Sequence, residues 1–182
     1  TMLYKPTLAQ IARFGHVNHP RYRGCVGHWL MNDGGGLVAF DVSGFRNNGT
    51  LTNMAPGTDW VGGQNGWALD FDGLGDVVNA GSATILDDLG SLTAAAWIYP
   101  RSAGEATVGR IVDKTTDLGP VNGWVLYLRI APTLSFDVHY STTNLVRYSN
   151  ANLITLNAWQ HVAITWDGST VAANAPLYIN GA

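Results

Sequence analysis

The sequence predicts an all-β fold, a two-sheet antiparallel jelly-roll sandwich preceded by a short N-terminal helix and arm. Three observations predict it. After residue 24, apolar residues alternate with polar ones at period two through most of the chain. Seven Trp residues supply rings large enough to fill the space between two sheets, and 22 Gly residues supply the turns between strands. A chain of 182 residues can bury a sizeable core in a single domain, and 46% hydrophobic with only 13% charged residues excludes a disordered chain or a coiled coil.

The chain divides at residue 24. Residues 1–24 hold Lys5, Arg13, Arg21 and Arg23 and no acid, whereas the rest has six basic and 13 acidic residues. A basic assembly arm of charge +4 therefore precedes a body of charge −7, and the arm suits docking on an acidic neighbour. Within it, Pro6 to Gly15 reads as one short helix. Thr7 is its cap, Leu8, Ile11 and Ala12 share a face, and Gly15 closes it. His16 to Gly24, with His19-Pro20, reads as an extended linker.

The body reads as a run of strands. Cys25 to Leu30 is the first, ahead of the Gly34-Gly35-Gly36 turn. Trp67 to Asp72 and Asp76 to Asn79 flank Gly73-Leu74-Gly75 as an expected hairpin. Leu92 to Tyr99 is a strand that Pro100 ends, and Arg110 to Lys114 a shorter one. Trp124 to Ile130 and Leu134 to Tyr140 alternate apolar with polar residues on either side of Ala131-Pro132. Leu145 to Tyr148, Trp159 to Trp166 and Leu177 to Asn180 complete the series. The single Cys25 allows no internal disulfide, and no apolar run approaches the roughly 18 residues of a membrane span.

Six motifs in this order resemble one family: Gly27-His28-Trp29-Leu30-Met31, Asp41 to Leu51, Gly66 to Gly73, Leu92 to Pro100, Trp159 to Gly168 and Leu177 to Gly181. Together they are similar to the concanavalin A-like, laminin-G-type jelly roll of bacterial and phage surface proteins, over residues 25–182. That resemblance implies an extracellular or virion-surface location. It also implies further strands after the Leu-Tyr-Ile-Asn-Gly motif, the last carrying an Asp-Glu pair. The sequence stops at Ala182, so the expectation is that those strands lie beyond it or come from a neighbouring subunit.

The resemblance places a structural calcium ion in the loop from Asp41 to Thr50. It implies Asp41 as a carboxylate ligand and the Asn48 and Thr50 region as carbonyl ligands. The residue types suit a hard cation, which takes several oxygen donors at once. The alternative is that Asp41, Ser43 and the two Asn residues close an Asx-type turn without metal. Asn48-Gly49-Thr50 also matches a glycosylation acceptor, and Asp70, Asp72 and Asp76 form a second acidic cluster that reads as hairpin solvation.

Catalytic signatures are lacking. Retaining glycosidases need two carboxyl groups about 5–5.5 Å apart. Glu105 is the single Glu, Asp137 has Ser135 and His139 as its same-side neighbours, and Gly73 ends the strand with Asp70 and Asp72. His28, His139 and His161 are isolated, with no zinc-ligand spacing, and there is no Gly-x-Ser-x-Gly elbow or phosphate loop. The expectation is a non-catalytic surface-structural or adhesive module that binds glycan. Trp60, in a loop, is the expected exposed ring, with Tyr140, Arg147 and Tyr148 on the middle hairpin as further ligand contacts. The alternative is a virion decoration, fibre or filament subunit in a homo-oligomer or lattice, assembled through the arm on other protein subunits. An acidic body disfavours nucleic acid.

Overall fold

A computed structural model describes residues 23–86, 89–104, 108–115, 123–140 and 144–182. The helix expected over Pro6 to Gly15, with Lys5, Arg13 and Arg21, lies outside the described residues. The all-β antiparallel sandwich is observed, with twelve strands and only short 3-10 turns among the described residues. The chain forms two compact units, Thr1–Ile85 and Leu86–Ala182.

The first unit carries β1 (Val38–Ala39), β2 (Gly49–Thr52), β3 (Trp60–Gly63), β4 (Gly66–Leu69) and β5 (Val77–Asn79). Strands β1, β2 and β5 make one antiparallel sheet, and β3 and β4 a separate hairpin. Ala39, Leu51, Met54 and Trp60 form its small core, with Trp29, Met31, Leu69 and Val78 packed around them. Two pairings differ from the sequence reading. Cys25 to Leu30 is not a strand; it contributes one isolated bridge, Trp29 to Asp41. The segments either side of Gly73-Leu74-Gly75 do not pair with each other, since β4 pairs with β3 and β5 with β2. The β3–β4 hairpin turns instead at Gln64-Asn65, where Gly63 faces Gly66 and Gly66 adopts a φ of 115°.

The second unit is a sandwich in its own right. Strands β7 (Val108–Thr115), β8 (Gly123–Arg129), β9 (Thr133–His139) and β10 (Asn144–Tyr148) form a four-stranded sheet in the order β10-β9-β8-β7. Strands β6 (Leu92–Ile98), β11 (Gln160–Trp166) and β12 (Leu177–Ile179) form a three-stranded sheet in the order β12-β11-β6. Trp124, Leu126 and Leu128 of β8 and Leu134, Phe136 and Val138 of β9 meet Val162, Ile164 and Trp166 of β11 in one core. Phe136 is fully buried, with ring centroids 6.4 Å from Trp124 and 6.1 Å from Trp166. Period-two alternation produces this directly, because it delivers every second side chain of each strand to one face.

The β8–β9 reversal turns on Ala131, whose φ is 57°, so the chain doubles back within Ile130 to Pro132. Gly168, at φ 91°, follows β11. A Cβ there would overlap the Gly90 carbonyl, so this close approach requires glycine.

Candidate functional site

The expected metal loop is a closed hydrogen-bonded turn centred on Asp41, which is buried. Asp41 Oδ1 accepts from the His28 amide at 2.9 Å and the Ser43 amide at 2.8 Å. Oδ2 accepts from the Ser43 hydroxyl at 2.8 Å and the Asn47 amide at 2.9 Å. The Asp41 amide donates to Asn48 Oδ1 at 3.0 Å, and the Trp29 indole donates to the Asn47 carbonyl at 2.7 Å. Sequence order explains the arrangement. An Asp two residues before a Ser makes the Asx turn, and the reversal through Gly44 and Arg46, both at positive φ, brings the Asn47 amide back to the same carboxylate. Burial pushes the Asp41 carboxyl up, but the amide and hydroxyl donors of Ser43, His28 and Asn47 outweigh it and hold it below its ordinary value.

The Asp41 carboxylate is already filled by protein donors. A cation needs oxygen lone pairs, and both oxygens of Asp41 are engaged by N–H and O–H donors whose positive ends would face it. Asn48 turns its Oδ1 to the Asp41 amide, while Thr50 is exposed and paired within the sheet to Val38 and Asn79. Among the described residues, no three His, Cys, Asp or Glu side chains converge as a metal cluster.

The expected ligand contacts do not come together. Trp60 is a correction: it is 5% exposed, starts β3, and its indole donates to the Gly36 carbonyl at 3.0 Å, so it is a core ring of the first unit. In the second unit, Arg147 pairs with Phe136 and therefore lies on the core side of β10, whereas Tyr148 pairs with Ser135 on the other face. Tyr140 packs at 6.3 Å from the core residue Trp166. Of the three, only Tyr148, 58% exposed, presents a ring outward. Arg23 of the arm is exposed.

The outer face of the four-stranded sheet is polar and partly buried. One row runs Arg110, Tyr127, Ser135, Tyr148, and the next Asp113, Val125, Asp137, Val146. Ser135 is fully buried and Tyr127 is 9% exposed, so polar-out patterning here does not mean solvent-facing. The Tyr127 hydroxyl donates to Asp137 Oδ2 at 2.9 Å. Burial raises the Asp137 carboxyl above its ordinary value, against the opposing pull of the Tyr127 hydrogen bond and the His139 and Arg129 charges. Burial and the Asp137 carboxylate push Tyr127 up to about 12. Asp113 shares the row with Asp137, two strand spacings or about 10 Å away at the backbone. Its carboxylate is taken by the Arg110 Nε at 2.7 Å and by the Thr115 amide and hydroxyl at 2.8 and 2.7 Å.

A carboxylate raised in the folded state costs stability wherever it is charged. That cost is fully present above the raised value. It fades as pH falls through it and is gone below the unfolded value. Asp137→Asn is therefore expected to raise the thermal midpoint at pH 7, with the gap to wild type closing near pH 4, as followed by circular dichroism. A midpoint lowered at pH 7 would mean that the charge itself is required.

Sequence reasoning missed one aromatic surface. On the outer face of the three-stranded sheet, Trp97 and His161 are cross-strand partners in edge contact at 5.4 Å. The next rung holds Tyr99 and Trp159, at 5.5 Å. The signal was in the pattern: Leu92, Ala94, Ala96 and Ile98 face the core, so Trp97 must face away.

The Laminin_G_3 family model, described as concanavalin A-like lectin/glucanases superfamily, matches residues 71–182. A solved structure described as residues 221–444 of an S-layer domain-containing protein from Clostridium thermocellum ATCC 27405 is similar in fold. It is 22% identical, with a TM-score of 0.56, and the match covers 86% of this chain and 69% of that one. No curated protein matches the sequence.

Proposed function

Because this chain belongs to the Laminin_G_3 family of the concanavalin A-like lectin/glucanases superfamily, we propose that it is a non-catalytic adhesive module that binds glycan at a cell or virion surface. The superfamily's name spans binding and hydrolysis, and the choice between them rests on how the carboxylates are used. Asp41, Asp59, Asp72 and Asp167 accept hydrogen bonds that close turns. Asp113 is held by Arg110 and Thr115, which leaves Asp137 without a free acidic partner in its row. A hydrolase needs one carboxyl protonated and a second one available, and among the described residues the Asp113–Asp137 row offers no such pair. Calcium enters this reading only as an ion that would have to displace the donors on Asp41.

The test is affinity electrophoresis of the full chain through gels containing soluble neutral polysaccharides. Retardation in at least one gel is the expected result, and unaltered mobility in all of them would sink the glycan reading.

A second reading is a repeated surface subunit that assembles through the basic arm. The charge of residues 1–24 favours it, and the fold it shares with an S-layer domain-containing protein is compatible with it. Light scattering on the K5E/R13E/R21E/R23E variant separates the two. Loss of a wild-type oligomer supports assembly through the arm, and an unchanged mass counts against it.

A further inference from the structure

We propose that the outer face of the β6-β11-β12 sheet is the glycan platform, with the exposed Trp97 and Tyr99 as the stacking rings, Trp159 and His161 in edge contact beside them, and Ala95 and Ala163 as the floor. The ligand class is a neutral, ribbon-like polysaccharide of pyranose units. This rests on the glycan reading above and assigns it a site.

Three observations carry the assignment. The strands Leu92–Ile98, Gln160–Trp166 and Leu177–Ile179 contain no Asp, Glu, Lys or Arg on either face. A solvent-facing sheet surface ordinarily carries charge, which also discourages edge pairing. Yet Trp97 is 50% and Tyr99 46% exposed. An uncharged face with large exposed rings selects a neutral partner.

The second observation concerns the indoles. Those of Trp29, Trp60 and Trp166 donate to backbone carbonyls of Asn47, Gly36 and Ser169. Among the described residues, the indoles of Trp67, Trp97, Trp124 and Trp159 have no such acceptor; Trp124 is buried, and those of Trp97 and Trp159 lie on this face, where they remain available to a ligand hydroxyl. Rings offering both a flat apolar face and a free donor suit a sugar. Its C–H face lies on the ring while its hydroxyls bond at the edge.

The third is size. Successive rungs on one face are about 7 Å apart and neighbouring strands about 5 Å, so the two aromatic rungs cover the footprint of one or two sugar rings. Ala95 opposite Ala163, both small, leaves the ribbon room to continue past the aromatic end.

The experiment titrates the full chain with cellohexaose, xylohexaose and mannohexaose, following tryptophan emission and binding heat. Thermal melts confirm that each variant is folded. At least one hexaose is expected to bind. Trp97→Ala and Trp159→Ala should each weaken that binding at least tenfold, and Tyr148→Ala, on the other sheet, should leave it unchanged. Ala95→Glu places a charge on the floor without removing a ring and is expected to abolish binding, which covers the case in which a Trp variant does not fold. Binding lost in Tyr148→Ala but kept in Ala95→Glu overturns the platform while leaving the glycan reading standing. No binding by wild type overturns both. A concentration-dependent dimer that Ala95→Glu dissolves, without hexaose binding, assigns the face to self-association and overturns the proposal.

Discussion

Asp41→Ala is expected to destabilise the first unit by on the order of 4 kcal/mol. Four donors lose their acceptor at once: the amides of His28, Ser43 and Asn47 and the Ser43 hydroxyl. A buried donor left unsatisfied costs about 1–3 kcal/mol, and not all four can turn to water. The loss links segments far apart in sequence, because His28 and Asn47 are joined through this one carboxylate. Asp41→Asn should cost about half as much, since it keeps one acceptor but points an amide N–H₂ at groups that also donate. Urea unfolding followed by tryptophan emission measures both. The pH dependence adds a check. A carboxyl held below its ordinary value contributes stability that is present above the unfolded value and is lost as pH falls through the folded one. Wild type is therefore expected to lose stability in acid that Asp41→Asn does not have to lose. Addition of calcium or EGTA is expected to leave the wild-type midpoint unchanged, because the turn is closed by protein donors.

Phe136→Ala is expected to cost about 3–5 kcal/mol and to loosen the sandwich of the second unit. Phe136 is fully buried in β9 between Trp124 and Trp166, and its removal leaves a cavity lined by two large rings that cannot collapse inward together. Phe136→Leu keeps most of the volume and should cost about 1–1.5 kcal/mol. Near-ultraviolet circular dichroism reports the packing of the two indoles. A reduced aromatic signal with retained far-ultraviolet signal is expected for Phe136→Ala.

Much of this fold was legible because alternation is a local property. The strands from Leu92 onward stand within a residue or two of their expected places, since each carries its own period-two pattern and the second unit's core is the sum of their apolar faces. Partner choice is not local. Gly73-Leu74-Gly75 looks like a hairpin turn, yet β4 turns back to β3 through Gln64-Asn65 and β5 crosses to β2. No residue in the turn itself decides between these pairings.

The site was less legible, for identifiable reasons. Trp60 sits among turn residues, and its burial comes from a core that also draws in Ala39 and Trp29, distant in sequence, beside Leu51 and Met54. Arg147 and Tyr148 are consecutive in one strand and so must point to opposite faces, a constraint that already separates them as co-ligands. Trp97 was readable as an outward ring from the same constraint. The Asp41 loop has the residue types of a cation site and of an Asx turn alike. What distinguishes them is where the His28 and Asn47 amides point, and only folding fixes that.

The central claim is recognition without hydrolysis. It is tested most directly by reducing-end release from soluble β-glucan, xylan and glucomannan, comparing wild type with the D113N/D137N variant. Equal, background-level release from both is predicted. Release by wild type that vanishes in the variant would contradict it and make the Asp113–Asp137 row an active site.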